Sequence, residues 1–401
     1  MTRLQQAVML CRHFATGLLI PVLNVLLLQK GATLQTLPLL LAAFSVTVVC
    51  LELPSGIFAD IYGRKKAFLL SSVLQAIAVL LVFFGSGFAS LILAMLFYGS
   101  GRAFSSGSLD ALFIDQAVAR HGDNILPKVT ARLTVLEGVG FAGGSICGGF
   151  LASITGTYLS NLAVQLLLNA ALFVVCLLFI SEQPAILHIK RPSLKDHLSK
   201  GKRLVLSSRH FTLIFIGILV VGFFLSTIET YWQPAFMTIA RMDNVAWMLG
   251  LITSGGFMTV IVGSMLGQRA MDRFRNRWWM IYNIGRMVFG ASIMVFAVQK
   301  TAGGFVAFYI VLYSCLGINS VVETTIINKM TPQGLRASML SLSSLIAQIG
   351  SLTASVFSSV LVVPLGVSGM WLAAGFLMGG YALIVAFVSR GRERLVRGSS
   401  L

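Results

Sequence analysis

Among the ionisable side chains inside otherwise apolar stretches, five are candidates for proton coupling: Arg102, Glu137, Glu229, Arg286 and Glu323. A charge near the centre of a bilayer costs on the order of 2.5–3.5 kcal/mol on insertion scales, so such groups pair or line a polar cavity. Arg102 and Glu137 fall at similar depth on consecutive antiparallel stretches, and so do Arg286 and Glu323. An Arg102–Glu137 pair and an Arg286–Glu323 pair are therefore expected, either as static clamps or as sites that exchange a proton. Glu229 has no basic residue at its depth. It is read as a proton-binding carboxylate, since desolvation favours the neutral acid, or as a hydrated member of an outer belt with Tyr231, Trp232 and Gln233. Asp110 and Glu52 are assigned to charge clusters at the cytosolic side. Arg12 and His13, about one turn inside the first apolar stretch, are expected to snorkel toward the interface.

Two further constellations are built on glycine. Residues 56–66 read Gly-Ile-Phe-Ala-Asp-Ile-Tyr-Gly-Arg-Lys-Lys between two long apolar runs. Gly56 and Gly63 suit a close helix approach and a tight turn, and Asp60 and Arg64, four residues apart, suit a charge latch. Gly140, Gly144, Gly148 and Gly149 place small residues four apart, a spacing that lets helices pack backbone to backbone.

The elements that carry these groups are membrane helices. Of 401 residues, 57% are hydrophobic and 11% charged, with a mean hydropathy of +0.88, far from the soluble average of roughly a quarter charged. A helix crosses the hydrocarbon core in about 20 apolar residues, and twelve such runs are expected at 7–29, 34–58, 67–88, 91–114, 128–152, 159–180, 210–235, 245–267, 278–298, 303–327, 335–361 and 366–389, numbered here as spans 1–12. Span 1 is too long and uniformly apolar for a cleaved leader. Most of the 30 Lys and Arg fall in alternate connectors. Only Lys30, Arg241 and Lys300 face outward, so the positive-inside rule puts both termini in the cytosol of a plasma or inner membrane. The net charge of +17 thus marks topology and not a nucleic-acid partner. The five scattered cysteines support neither a disulfide framework nor a metal site, and no nucleotide-binding or hydrolase motif is present.

The polar segment 181–209 divides the spans six and six: a first half over 1–180, a basic cytosolic linker over 181–209, and a second half over 210–401 ending in a short basic tail. Asp110-Ala-Leu-Phe-Ile-Asp115 in span 4 aligns with Glu323-Thr-Thr-Ile-Ile-Asn328 in span 10, a faint internal repeat. Residues 263–275, with Gly263, Gly267, Asp272 and Arg273, read as a degraded copy of 56–66.

The 56–66 connector resembles the G-x-L-A-D-R-x-G-R-K loop of the major facilitator superfamily at Gly56, Ala59, Asp60, Gly63, Arg64 and Lys65, departing at Phe58 and Ile61. That resemblance implies an all-α fold of twelve transmembrane helices in two pseudo-symmetric halves, with a substrate site between them. It also implies that Arg64 reaches an acid of span 4, matched by Asp115, in a gate that breaks on inward opening. Gly140 to Gly149 is similar to the glycine motif of the superfamily's antiporters, with Ser145 where proline is expected. Many family exporters carry an arginine four residues before a G-x-G in span 4; here that position is Met95, and Arg102 lies two turns further on.

Asn24, Gln165, Tyr231, Trp232, Asn319 and Gln348 are candidates for a greasy central cavity with sparse polar handles, suited to adaptable recognition of amphipathic molecules. The expected function is not enzymatic. It is export of a small amphipathic or drug-like molecule by proton antiport, as in bacterial multidrug exporters, without a cofactor or an obligatory protein partner. The alternatives are a proton-coupled or facilitative importer of a nutrient, lipid or peptide, or a non-transporting receptor or scaffold. A proton gradient suffices, since about 100 mV supplies roughly 2.3 kcal/mol per charge, about fiftyfold in concentration.

Overall fold

The computed structural model describes residues 1–106, 108–182, 208–242, 244–274, 277–331 and 336–398, and among them every regular element is a helix. In lipid a helix satisfies its own backbone groups, so these apolar runs need only local devices to start and stop. Thr2 and Gln5 form a capping box ahead of Arg3–Gly17, Pro38 opens the helix Leu37–Tyr62, and Thr301 Oγ1 caps Ala302–Met330 through Gly304 N. Gly63, at φ +105°, ends one helix and begins the next, Arg64–Phe84.

Ten helices among the described residues are long and apolar enough to cross a membrane. The expected twelve differ from these at two places. Span 1 is split into Arg3–Gly17 and Leu23–Gln29, around Pro21, whose missing N–H leaves the Gly17 carbonyl without its helical donor. Spans 11 and 12 run through Arg336–Gly398, where Gly366 is non-helical at φ 64°. Its apolar portion of 46 residues would measure about 69 Å as one helix, over twice the hydrocarbon thickness, and Gly366 divides it.

The chain forms two compact units, Met1–Ile189 with Ala240–Phe257, and Lys190–Ile239 with Met258–Leu401. The expected linker lies, apart from 181, 182, 208 and 209, outside the described residues.

In the first unit the glycine stripe of span 5 (Leu126–Thr155) lies on span 1. A Cβ on Gly144 would stand 2.3 Å from the Phe14 carbonyl oxygen, and one on Gly148 2.2 Å from that of Leu18. Gly140 meets Leu10 and His13 of the same helix, whereas Gly149 faces Ala246 and Gly250 of span 8. Span 4 (Gly87–Ser105, continued by Ser108–His121) packs Gly99 on the Phe44 carbonyl of span 2. Val8, Met9, Phe68, Leu109, Phe113 and Cys176 close the core beside these contacts.

The second unit repeats the pairings six spans later. Gly222 of span 7 (Arg209–Ala240) meets the Ala347 carbonyl of span 11, and Gly350 meets that of Leu219. Gly317 of span 10 (Ala302–Met330) meets the Val260 carbonyl of span 8 (Ala246–Arg273). The repeat is thus stronger in packing than in sequence. This unit's core is aromatic: Phe296 lies 4.5 Å from Phe305 and 4.9 Å from Trp371, ring centre to ring centre.

Candidate functional site

Span 3 (Arg64–Phe84) begins in a charge cluster. Arg64 Nη1 pairs with Asp115 Oδ2, as expected. Beyond that pair, Glu182 wraps the exposed helix start: its two carboxylate oxygens accept from the backbone N–H groups of Arg64 at 2.7 Å and Lys65 at 2.9 Å. A negative group there satisfies donors that the helix leaves open and complements its dipole. Lys65 Nζ donates to the Leu177 carbonyl at 2.9 Å, so spans 3, 4 and 6 are tied at one end. Gly63 is required twice over, for its positive φ and because a Cβ would stand 2.7 Å from Glu182 Oε2. Gly56 is different. No described atom lies within 4 Å of the Cβ it lacks, so the close approach expected there is not formed among the described residues. Asp60 is half-buried in the last turn of span 2.

A cavity of about 230 Å³ opens inside the first unit, lined by spans 1, 2, 3, 4, 5 and 6. Its polar wall carries Arg12, His13, Thr16, Gln75, Tyr98, Arg102, Ser105, Gln165 and Asn169, and its apolar wall includes Phe44, Phe68, Phe141, Leu19, Leu23 and Leu172. Asn169 Nδ2 is held by the Ser72 carbonyl at 2.9 Å and Gln165 Nε2 by the Tyr98 hydroxyl at 3.4 Å. Arg12 does not snorkel. Its guanidinium donates to Asp110 Oδ2 at 2.9 Å and to the Ser105 carbonyl at 3.1 Å, which ties Asp110 to a residue of the cavity wall.

The expected Arg102–Glu137 pair is not among the ion pairs of the described residues. Arg102 lines the cavity, while Glu137 is half-buried on span 5 and outside that lining. Three, seven and eleven residues before Gly140, Gly144 and Gly148, Glu137 shares the stripe of span 5 that is turned to span 1, not to Arg102 of span 4.

In the second unit Arg286 of span 9 (Trp278–Ala297) pairs with Glu323 of span 10 as expected. Arg286 is 2% exposed, and its guanidinium lies 4.9 Å over the Tyr282 ring. The Tyr282 hydroxyl in turn meets that of Tyr381 at 2.7 Å. Glu229 accepts a hydrogen bond from Tyr313, which stacks on Tyr309. The outer-belt reading of its neighbours does not hold, since Tyr231 and Trp232 are fully buried and Trp232 packs on Tyr309.

Of the cavity candidates, Gln165 lines the cavity. Asn319 is buried and ties spans 9 and 10 through the carbonyls of Gly285 and Cys315. Asn24 is buried in the short second helix of span 1, and Gln348 is half-buried on span 11.

The sequence profile of the Major Facilitator Superfamily matches residues 7–255. The chain belongs to the Major Facilitator Superfamily. It is 22% identical over 381 residues to YxaM of Bacillus subtilis (strain 168), described as an uncharacterized MFS-type transporter, with 92% of this chain and 90% of that one covered. Among solved structures, the nucleoside transporter NupG superposes with a TM-score of 0.77 at 14% identity, covering 96% of this chain and 98% of NupG. A bacterial homologue of the iron transporter ferroportin, in an inward-facing state, gives 0.74 at 18% identity over 96% and 98%. A POT family transporter in complex with 5-aminolevulinic acid gives 0.72 at 14% over 97% and 96%. At these identities the likeness is one of fold.

As a superfamily member the protein is a multi-pass membrane transporter for a small molecule and not an enzyme. The Arg64–Asp115 pair then lies in the connector that resembles the superfamily's loop, and Glu182 caps the helix that follows it. Glu182 carries no sequence signal of its own, because it lies past the end of span 6 (Leu159–Phe179), where a single acid reads as ordinary loop.

Proposed function

We propose that this transporter exports small amphipathic molecules by proton antiport through alternating access, from an inner or plasma membrane with both termini in the cytosol. The observation that carries this reading is the cavity inside the first unit, part polar and part aromatic, which suits an amphipathic guest. At the end of spans 3, 4 and 6 that the charge distribution assigns to the cytosol stands the cluster of Arg64, Asp115 and Glu182. Breaking these few bonds frees that end without disturbing the helices themselves.

Glu323 and Glu229 are the proton carriers in this reading. Each is a carboxylate in a membrane helix held by a bond that depends on its charge: Glu323 by Arg286, which also rests on Tyr282, and Glu229 by Tyr313. Protonation removes the charge that holds each bond in its present form, and a change of partner is the event that links proton entry to a change of state.

The test uses the full chain in liposomes with a trapped pH dye, challenged with amphipathic anions, cations and neutral compounds, and with sugars and amino acids. Proton movement opposite to an added amphipathic compound, lost in Glu323→Gln or Glu229→Gln, is the expected result. Proton movement in the same direction as a nutrient would replace export by uptake.

A further inference from the structure

The charge inside the cavity is one-sided. Arg12 and Arg102 line it, and no carboxylate does so among the described residues. Arg12 is already answered by Asp110 and the Ser105 carbonyl. Arg102 is exposed to the cavity, and no described side chain pairs with it. A lone guanidinium in a membrane protein needs an acceptor, and a guest that enters this space is positioned to supply one. The apolar side of the lining is aromatic and aliphatic: Phe44, Phe141 and Tyr98 beside Leu19, Leu23 and Leu172.

We propose that this cavity takes an amphipathic organic monoanion, an aryl or alkyl carboxylate whose charged end meets Arg102 and whose apolar body lies among Phe44, Tyr98 and Phe141. One unanswered positive charge favours a single negative charge over the double charge of a phosphate ester. The volume of about 230 Å³ lies below the 300–1,000 Å³ of drug-sized sites, so the guest is small, on the scale of one bicyclic ring. A lipophilic cation, the other common class of amphipathic solute, would bring a second positive charge beside Arg102, and the carboxylate bound to the wall, Asp110, is already taken by Arg12. The inference rests on the transport reading only in taking this cavity as the substrate site.

The test compares three ligands of one shape: naphthalene-1-acetate, its neutral amide, and 1-naphthylmethylammonium. Binding is measured by isothermal titration on the full chain in lipid nanodiscs. A hydrogen-bonded charge pair predicts that the acid binds about tenfold or more tighter than the amide, with the ammonium weakest. Arg102→Gln should bring the acid to the level of the amide while the amide is held as before, and Arg102→Lys should keep most of the preference. Overturning results are an ammonium that binds as well as the acid, an acid that fails to bind, or a preference that survives Arg102→Gln. Loss of the amide in that variant also overturns it, since it would place Arg102 in the fold and not at the ligand. Acid binding without proton movement in the liposome assay would remove antiport and leave the anion site standing. Proton movement driven by the ammonium would do the reverse.

Discussion

Arg12 of span 1 and Asp110 of span 4 meet at 2.9 Å across 98 residues of chain, and the same guanidinium holds the Ser105 carbonyl. Arg12 is 10% exposed and Asp110 32%, so the pair lies between the surface and the fully buried case. Asp110→Asn leaves the arginine with a neutral partner and should destabilise the fold by about 1–3 kcal/mol. Thermal unfolding in detergent checks this. Combining it with Arg12→Gln should cost less than the two single changes added together, and simple additivity would show that the pair contributes nothing as a pair.

Glycine-for-larger changes on span 5 should sort by what they meet. Gly144→Ala and Gly148→Ala place a Cβ against backbone carbonyls at 2.3 and 2.2 Å, where nothing flexible can yield, and overpacking of this kind costs about 1–3 kcal/mol. Gly143→Ala meets only the Phe14 ring at 3.8 Å, and Gly138→Ala meets nothing within 4 Å. Melting temperatures should fall for the first two and hold for the second two; a uniform response would mean that helix propensity, not packing, decides.

Loosening the charged cluster should open the cavity from its own end of the bundle. Arg64→Ala removes the Asp115 pair, and Glu182→Ala removes two acceptors from the start of span 3, worth about 0.5–2 kcal/mol on capping scales. In a chain with its native cysteines replaced, a cysteine at Thr16, which lines the cavity, should react with a water-soluble maleimide several-fold faster in either variant. Unchanged labelling would show that the cluster does not control access.

The Arg286–Glu323 pair should separate stability from coupling. Glu323→Gln leaves a 2%-exposed arginine without its counter-charge and should lower both the melting temperature and proton-linked transport. The double change Arg286→Gln, Glu323→Gln should recover stability without recovering proton movement. Full transport by the double variant would reduce the pair to a structural clamp.

Depth along the membrane is what the sequence makes legible, and direction around each helix is what it hides. Hydropathy placed the helices within a few residues, and the glycine-acid-glycine-base order of 56–66 pointed to Arg64–Asp115. Arg286 and Glu323 were matched by depth and do meet. The same logic failed for Arg102 and Glu137, since a helix in lipid is apolar on its outer face as well as its packed one, so its sequence carries little sign of rotation. The interfacial expectation for Arg12 fails for the same reason: being one turn inside a helix does not tell whether a side chain looks outward or across at span 4. Trp232 and Asn319, polar or amphipathic and central, were natural cavity residues, yet one fills an aromatic core and the other binds backbone carbonyls.

The interruption of span 1 at residues 18–22 gives the two units unequal mechanics. Pro21 releases the Gly17 carbonyl, which Ser145 Oγ of span 5 takes up at 3.3 Å, and the neighbouring Leu18 carbonyl accepts from Asn161 Nδ2 of span 6 at 2.8 Å. Ser145 thereby acts at the very position where an antiporter motif would place a proline. Because the loose carbonyls are held from outside, span 1 can flex at this joint without losing hydrogen bonds of its own, and Leu19, Ile20 and Leu23 beside it line the cavity. Its counterpart, span 7, runs unbroken from Arg209 to Ala240. The halves are alike in how their helices touch and unlike in how they take up a proline: span 1 is jointed at Pro21, where a guest would sit, while span 7 carries Pro234 within a continuous helix.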